Sequence, residues 1–250
     1  MCYMAYNGSM RTKTTDMRLR WVGLTTAVIA AAAMLFVWHA SRPRPVQHIF
    51  MVEIEPQRVE IRPMLTHGKV SRFESFSEAM ARLKPYAAIN GTFYGTQMEP
   101  LGDMLLDGKL INRGRYPNAI AVRGDGTVRF IRSDNARFNL SGYKAGLAAG
   151  PRLIRGGKVK IDMTADGFSR RGLSIIAPRS GVGLTSNGKL LLVVETRPVT
   201  LAQFGDTMLD LGCTDALNLD GGPACGLYHD GKILVNATLR MTNLLVFYKK

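Results

Sequence analysis

Apolar and polar residues alternate along much of the chain after residue 47, and this pattern predicts many short strands. The stretch HIFMVEIEPQRVEIRPML (48–65) alternates and is rich in Val, Ile and Phe, as half-buried strands are. AAGPRLIRGGKV (148–159) predicts two more strands, whereas residues 160–174 show no clear period and predict a loop or lid. Four turn dipeptides between apolar runs predict hairpins: Asp107-Gly108, Asp125-Gly126, Asn187-Gly188 and Asp230-Gly231.

Two segments have apolar residues at helical spacing. Each opens with a capping box, in which a Ser or Thr is followed three residues later by Glu or Gln. These boxes are Ser75 with Glu78 and Thr200 with Gln203. The first helix is expected to end before Pro85, and the second to run from about Leu201 to Leu211, before Gly212.

Each predicted helix leads into a short apolar strand that ends in polar residues and glycine. These ends are AIN-G (88–91) and LNLD-GG (217–222). Strand ends are where α/β layers usually build their sites. Side chains alternate along a strand, so Asn218 and Asp220 are expected on one face, with Leu217 and Leu219 on the other. The chain as a whole predicts an α/β (mixed α+β), strand-rich domain with a mixed sheet and a few packed helices.

The N-terminal part predicts an export segment. Residues 21–40 contain no Lys, Arg, Asp or Glu, and their length fits one membrane crossing. Four basic residues precede them, which favours a cytoplasmic N-terminus. The predicted organisation is a cytoplasmic segment (1–20), a transmembrane signal anchor (21–40), a linker (41–47) and a domain (48–250). The domain would then face the periplasm or the exterior from a bacterial inner membrane. A cleaved signal peptide is the alternative.

The net charge of the chain indicates which kinds of partner it binds. The chain carries a net charge of +14, and without residues 1–40 it keeps about +11, which favours anionic partners. Outside the membrane, a phosphate-bearing glycan or glycolipid fits this charge better than nucleic acid does.

Cys213 and Cys225 could pair in an oxidising compartment or stay as buried thiols, and both interpretations remain open. No Cys/His cluster predicts a zinc site.

The candidate chemistry lies in carboxylates and one arginine, because the chain has no GxSxG, HExxH, Walker A or GxGxxG motif. Asp220 and Glu195 each close an apolar strand. Arg179 lies between two apolar strands, and its guanidinium matches a phosphate at two points. Gly221 and Gly222 lack Cβ atoms, so their backbone can approach an anionic ligand.

Four stretches, in this order, resemble the phosphodiester glycosidase family: AAINGTFYG, AAGPRLI, APRSGVGLTSNGKLLLVV and ALNLDGGPACGLY. The resemblance spans roughly residues 85–248 and implies a mixed α/β domain with its pocket at these loops. It implies that the pocket is formed by Asn90, Arg179, Asn218, Asp220, Gly221 and Gly222, and we add Gly91, which follows Asn90. Two positions depart from many relatives: Glu195-Thr196-Arg197 replaces Asp-Gly-Arg, and Pro223-Ala224-Cys225 replaces Gly-Ser-Ser or a similar triplet.

Together these features predict a hydrolase that cleaves a sugar-1-phosphodiester bond in an envelope or exopolysaccharide substrate. Asp220 would activate water or attack the sugar, with Glu195 as its partner or as an acid. Arg179 would hold the phosphate, while Asn90 and Asn218 would orient sugar hydroxyls. No cofactor is expected.

Two alternatives remain. One is a metal-dependent phosphodiesterase that uses Asn90, Asp103, Asn218 and Asp220 around a hard cation. The other is a non-catalytic periplasmic protein that binds anionic glycans.

Overall fold

A computed structural model of the chain describes residues 47–133 and 137–250. The predicted cytoplasmic segment, the predicted anchor at 21–40 and residues 41–46 of the linker lie outside these ranges. Within the two described ranges, no helix is both long enough and apolar enough to cross a membrane.

The described residues form sixteen strands and two α-helices. The helices are α1 (Phe76–Leu83) and α2 (Leu201–Asp210). The strands are β1 (Ile49–Ile54), β2 (Val59–Leu65), β3 (Ala87–Asn90), β4 (Met104–Leu106), β5 (Lys109–Asn112), β6 (Asn118–Arg123), β7 (Val128–Arg132), β8 (Tyr143–Ala149), β9 (Arg152–Arg155), β10 (Lys158–Val159), β11 (Ala177–Thr185), β12 (Leu190–Val199), β13 (Cys213–Asn218), β14 (Leu227–His229), β15 (Lys232–Val235) and β16 (Asn243–Lys249).

Both capping boxes are present, and both helices begin where the sequence predicts. The Ser75 hydroxyl accepts the Glu78 backbone N–H at 3.2 Å, and the Glu78 carboxylate accepts the Ser75 backbone N–H at 2.8 Å. Thr200 and Gln203 make the same two bonds, at 3.2 and 2.9 Å. These bonds satisfy N–H groups that would otherwise lack a partner at the start of each helix.

The strands form three sheets. A six-stranded sheet has the order β1-β12-β11-β13-β9-β10, and two five-stranded sheets have the orders β15-β14-β3-β16-β2 and β5-β4-β8-β6-β7. Every pairing between these strands is antiparallel, so the prediction of a mixed sheet is wrong. The physical reason is that five pairs of consecutive strands form hairpins, which are antiparallel, and the strand after each helix enters its sheet between antiparallel neighbours rather than through a parallel crossover.

The four predicted hairpin turns are confirmed, and so is the strand pair within 148–159. For example, Asp107 and Gly108 connect β4 to β5 with φ values of 50° and 73°, as a tight two-residue turn requires. Residues 160–174 contain no strand and one short 3-10 turn, Arg170–Ser174, which confirms the predicted loop.

One central core contains buried residues from all three sheets, among them Leu192, Ile89 and Leu147. Helix α2 covers the outer face of the six-stranded sheet, where Phe204 and Met208 pack against Val193. Helix α1 covers the outer face of the sheet that contains β3 and β16. The antiparallel layers thus place the ends of β3, β11 and β13 together, and the predicted site residues other than Glu195 lie at these ends. Glu195 lies inside β12, which continues to Val199, so the prediction that it closes its strand is wrong.

Candidate active site

The site is built around Asp220, which lies just beyond the end of β13. The Asp220 backbone N–H donates to the Gly91 carbonyl at 3.0 Å. The Asp220 carbonyl accepts two bonds, from Asn90 Nδ2 at 2.7 Å and from the Ser180 hydroxyl at 2.6 Å. These three bonds tie the Asp220 backbone to the ends of β3 and β11 at once. Leu217 and Leu219 both lie in the central core, so the predicted apolar face is confirmed.

Asn90 and Gly91 hold the loop that contains Asp220 in place. Asn90 is 1% exposed, and its Oδ1 also accepts the Gly226 backbone N–H at 3.1 Å. A Cβ atom on Gly91 would lie 1.9 Å from Asn243 Oδ1, so only glycine fits there. Both residues therefore hold the Asp220 loop through backbone contacts. The predicted contact between Asn90 and a sugar hydroxyl stays a prediction.

The Asp220 carboxylate lies in a poorly solvated place. Burial raises its pKa from 3.8 to about 6, although the Gly221 N–H, which donates to Oδ1 at 2.9 Å, opposes the rise. Burial also raises the pKa of Tyr94 and of Tyr116, and the negative charge of Asp220 adds to the rise in both. The two phenols therefore lie within electrostatic reach of this carboxylate.

Three aromatic side chains, including Tyr116, pack against one another near the Asp220 carboxylate. Tyr116 stacks on Phe168 with ring centroids 4.6 Å apart, and Phe93 meets Phe168 edge-on at 5.7 Å. Phe168 belongs to the predicted loop 160–174. Aromatic faces of this kind can pack against the apolar faces of a ligand.

A buried aspartate anchors that loop. Asp166 is fully buried and accepts bonds from Arg132 Nη1 at 2.7 Å, Arg155 Nη2 at 2.9 Å and the Arg152 backbone N–H at 2.9 Å. These charge-assisted bonds fix the loop against β7 and β9. Phe168, two residues later, is thereby positioned against Tyr116.

Arg179 is a buried cation. It is 7% exposed, and its guanidinium donates to the Val199 carbonyl at 3.1 Å and to the Ile175 carbonyl. Burial lowers its pKa, and within the described residues no carboxylate forms an ion pair with it. An arginine buried without a negative partner loses hydration that only an anion restores well.

The Cys225 thiol lies within electrostatic reach of both Asp220 and Arg179. Its pKa is raised to about 12, chiefly by burial and also by the Asp220 carboxylate, while the Ser180 hydrogen bond and the Arg179 guanidinium oppose the rise. Both Cys225 and Cys213 are free thiols, and they belong to different hydrophobic clusters. Of the two open interpretations of the cysteines, the structure shows buried thiols.

The glycine pair brings the loop close to Arg179. A Cβ atom on Gly221 would lie 3.0 Å from the Pro178 carbonyl and 3.9 Å from Arg179 Cδ. Gly222 has a φ of +60°, a conformation that glycine adopts without strain. The two glycines therefore allow the turn to pack directly beside the arginine.

Asn218 keeps one polar atom without a partner. Its Nδ2 donates to the Gly150 carbonyl at 3.2 Å and to the Leu219 carbonyl at 2.7 Å. Its Oδ1 is buried and accepts no hydrogen bond from the described residues. Such an atom lowers the stability of the free protein.

Glu195 lies opposite Arg179 in the register of β11 and β12, yet the two side chains do not pair. Glu195 is fully buried, and its oxygens accept from Arg197 at 2.8 Å and from Thr207 at 2.9 Å. Its predicted catalytic role stays a prediction, and these contacts favour a role in joining β12 to α2.

The residues of the metal alternative have other partners. Asp103 accepts the Gly114 backbone N–H at 2.6 Å. Within 47–133 and 137–250, no group of three His, Cys, Asp or Glu side chains is arranged to hold a metal ion.

Sequence reasoning missed several contributors. Ser180 and Tyr94 stand in the APRSG and GTFYG stretches beside predicted residues, so their position was a usable signal. Asn243, whose amide interlocks with the backbone of Thr92 at 2.7 and 2.9 Å, gave no local signal.

Of two clefts of similar volume in the domain, one borders the predicted site residues and the other does not. A cleft of about 540 Å³ is lined by Glu53, Arg58 and Lys249, among others, and includes none of the predicted site residues. A cleft of about 490 Å³, called the loop cleft below, is bordered by Pro178, Gly222 and Cys225.

Comparison with known proteins agrees with this architecture. Three solved structures that resemble the chain share 14–18% identity with it and therefore show the fold alone. A hypothetical protein from Synechocystis has a TM-score of 0.72 and 16% identity, over 81% of this chain and 59% of that one. The zebrafish N-acetylglucosamine-1-phosphodiester alpha-N-acetylglucosaminidase catalytic domain, auto-inhibited by its pro-peptide, has a TM-score of 0.67 and 18% identity, over 84% and 86%. A putative exported protein from Burkholderia pseudomallei has a TM-score of 0.64 and 14% identity, over 80% and 73%.

A search of curated protein sequences finds no match. The pattern of the phosphodiester glycosidase family, in contrast, matches residues 84–246, which is more than half of the chain. It confirms the predicted resemblance and supports a hydrolase that acts on phosphodiester-linked sugars. This chain belongs to the phosphodiester glycosidase family.

Proposed function

We propose that the protein hydrolyses a sugar-1-phosphodiester of an envelope or exopolysaccharide substrate at the bond between the anomeric carbon and the phosphodiester oxygen. The observation that carries the proposal is that two unusual charged groups, which do not form an ion pair, lie at one loop. Asp220 is a carboxylate whose pKa is raised to about 6, and Arg179 is a buried guanidinium that no described carboxylate neutralises.

Asp220 is the reacting carboxylate of the proposal. With a pKa of about 6, it is mostly ionised at neutral pH and still basic enough to take a proton from water. Water adds to the anomeric carbon, its proton passes to Asp220, and the carbon–oxygen bond breaks to release a phosphomonoester. Direct attack by Asp220 is the other possibility, and the anomeric configuration of the released sugar distinguishes them: inversion accompanies water attack and retention accompanies a covalent intermediate.

Arg179 holds the phosphate and stabilises the charge of the departing phosphomonoester. A phosphomonoester is a good leaving group, so strong assistance from an acid is less important than for an ordinary glycoside. Gly221 and Gly222 let the substrate approach the backbone beside the arginine.

The sugar is placed beside Asp220. There, Asn218 Oδ1 offers an acceptor to a hydroxyl group, and Tyr94 and Tyr116 offer phenol groups. Asn90 and Gly91 keep the Asp220 backbone in position. Glu195 supports β12 through its contacts with Arg197 and Thr207.

Localisation is also part of the proposal. Residues 21–40 would anchor the protein in a bacterial inner membrane with the domain outside the cytoplasm. The absence of charged residues from this segment supports it. Fusing alkaline phosphatase, which is active only outside the cytoplasm, to residue 250 tests this orientation. An inactive fusion on a stable chain would contradict it.

The test of the activity is sugar release from a panel of sugar-1-phosphodiesters that includes N-acetylglucosamine-1-phosphodiesters. The purified wild type and Asp220→Asn are compared, each with and without a chelator. Release by the wild type that is lost in the variant supports the proposal. Loss of release on chelation would instead favour the metal-dependent alternative. Binding of the panel without any release would favour the glycan-binding alternative.

A further inference from the structure

We infer that the substrate's aglycone, the group esterified to the far side of the phosphate, is the hydrocarbon chain of a lipid and that it lies in the loop cleft. This inference rests on the proposed function, because it extends the same site beyond the phosphate.

The loop cleft shares residues with the proposed phosphate site. Pro178, which directly precedes Arg179, lies on its border together with Gly222 and Cys225. The charge of Arg179 lowers the pKa of the Cys225 thiol, so the two groups are close together. A phosphate bound at Arg179 would therefore lie close to this cleft, and its second ester oxygen could point towards it.

The lining of the loop cleft suits a hydrocarbon. None of its described lining residues has a charged side chain, although the domain is strongly basic. Ile176, Pro198, Pro223 and Val235 contribute apolar surface, and a few polar groups also border the cleft: Thr196, Asn236 and Thr238. Its volume of about 490 Å³ lies in the range of small-molecule sites. A polyol or anionic aglycone would lose more hydration here than these few groups replace.

The apolar surface continues outside the cleft. Ile176 is 66% exposed, and the preceding residues Ile175 and Leu173 are 55% and 42% exposed. A cluster of exposed large apolar side chains at a ligand site indicates contact with a ligand or a membrane. An aglycone embedded in the membrane at its far end would use both surfaces, and the predicted anchor at 21–40 would hold the domain near such a lipid.

The experiment measures kcat/KM for sugar release from esters that share one sugar-1-phosphate and differ only in a methyl, butyl or hexyl group. The full chain is used in lipid nanodiscs, so that no detergent competes for the cleft. Each methylene that leaves water should raise kcat/KM by about fourfold. The hexyl-to-methyl ratio does not depend on the fraction of folded enzyme.

Two variants locate the effect. Ile176→Ser should lower the hexyl-to-methyl ratio at least about fourfold, because it removes apolar surface from the cleft. Met51→Thr is the matched control: Met51 is also an exposed apolar residue, at 43%, but it does not line the loop cleft. It should keep the wild-type ratio.

Binding of methyl and hexyl phosphate, measured by calorimetry, separates this inference from the proposed activity. Tighter binding of hexyl phosphate that Ile176→Ser weakens supports the cleft assignment even if no ester is hydrolysed. Turnover with equal rates for all chain lengths would overturn the inference and leave the proposed function standing. A preference for a glycerol or sugar aglycone, or an Ile176→Ser ratio equal to the wild-type ratio, would also overturn it.

Discussion

Replacing Asp220 with Asn should abolish turnover and at the same time make the protein more stable at neutral pH. The ionised carboxylate is poorly solvated in the folded protein, and its pKa rises from 3.8 to about 6. Between pH 3.8 and about 6, the folded state therefore keeps a proton on Asp220 that the unfolded state has already released. Asn has almost the same shape and keeps an acceptor for the Gly221 N–H, so it removes the charge with little other change.

The magnitude follows from linkage. A shift of about two pKa units corresponds to about 3 kcal/mol of destabilisation by the ionised form, and because Asp220 is partly exposed we expect about 1–3 kcal/mol. For a carboxyl whose pKa is raised on folding, this cost is absent below the unfolded pKa and complete above the folded pKa. Asp220→Asn should thus match the wild type near pH 3.5 and exceed its stability above pH 6.

The assay is urea unfolding of residues 41–250, followed by circular dichroism, at several pH values from 3.5 to 8. Sugar release is measured in parallel, and the wild-type rate should fall as the pH drops below about 6, because a protonated Asp220 can act neither as a base nor as a nucleophile. A variant that is less stable than the wild type at pH 7 would refute the reasoning, because Asp220 would then serve the fold rather than the chemistry.

Three further changes probe the rest of the site. Arg179→Gln should raise KM for sugar phosphodiesters at least about tenfold, since it removes a charge-assisted phosphate contact. The control Arg58→Gln, at a side chain that is 79% exposed, should leave KM unchanged. Equal KM values for both variants would contradict the assignment of Arg179 to the phosphate. Asp166→Asn should lower the free energy of unfolding by about 3 kcal/mol in urea titrations, because it leaves two arginines without their buried partner; a loss below about 0.5 kcal/mol would argue against the anchor. Asn90→Ala should cost about 2 kcal/mol and lower kcat, since it releases the Asp220 carbonyl, whereas wild-type kcat would show that this bond does not position Asp220.

The helices and hairpins were predictable because local chemistry decides them. The capping box at Thr200 and Gln203 and the turn at Asp107-Gly108 need only neighbouring residues, and both occur as expected. The sheet type was not predictable, because it depends on which distant strands pair. Leu227 on β14 and Leu245 on β16 both flank Ile89 on β3, and nothing local to AAIN (87–90) specifies those partners.

The site was predictable at the level of the loop and less so at the level of roles. Polar residues and glycines after buried strands pointed to Asp220, Gly221 and Gly222, and the structure packs this turn beside Arg179; the functional roles of these residues stay predictions. Roles depend on contacts over long sequence distances, which no local pattern reveals. Asn90, for example, bonds with residues 130 and 136 positions away, and these bonds make it a support for the loop.

Three groups at this site each lower the stability of the free protein. Asp220 is a carboxylate in a poorly solvated place, Arg179 is a buried cation without a carboxylate partner among the described residues, and Asn218 Oδ1 is a buried acceptor without a donor. A sequence selected for stability alone would have no reason to combine such costs beside one loop, and perturbed groups of this kind concentrate where a protein performs chemistry. A bound sugar phosphodiester would offset two of the costs together, because its phosphate neutralises Arg179 and a sugar hydroxyl donates to Asn218. The third cost, at Asp220, would persist until the carboxylate takes up a proton or bonds to the sugar, which is the event that the proposed reaction requires.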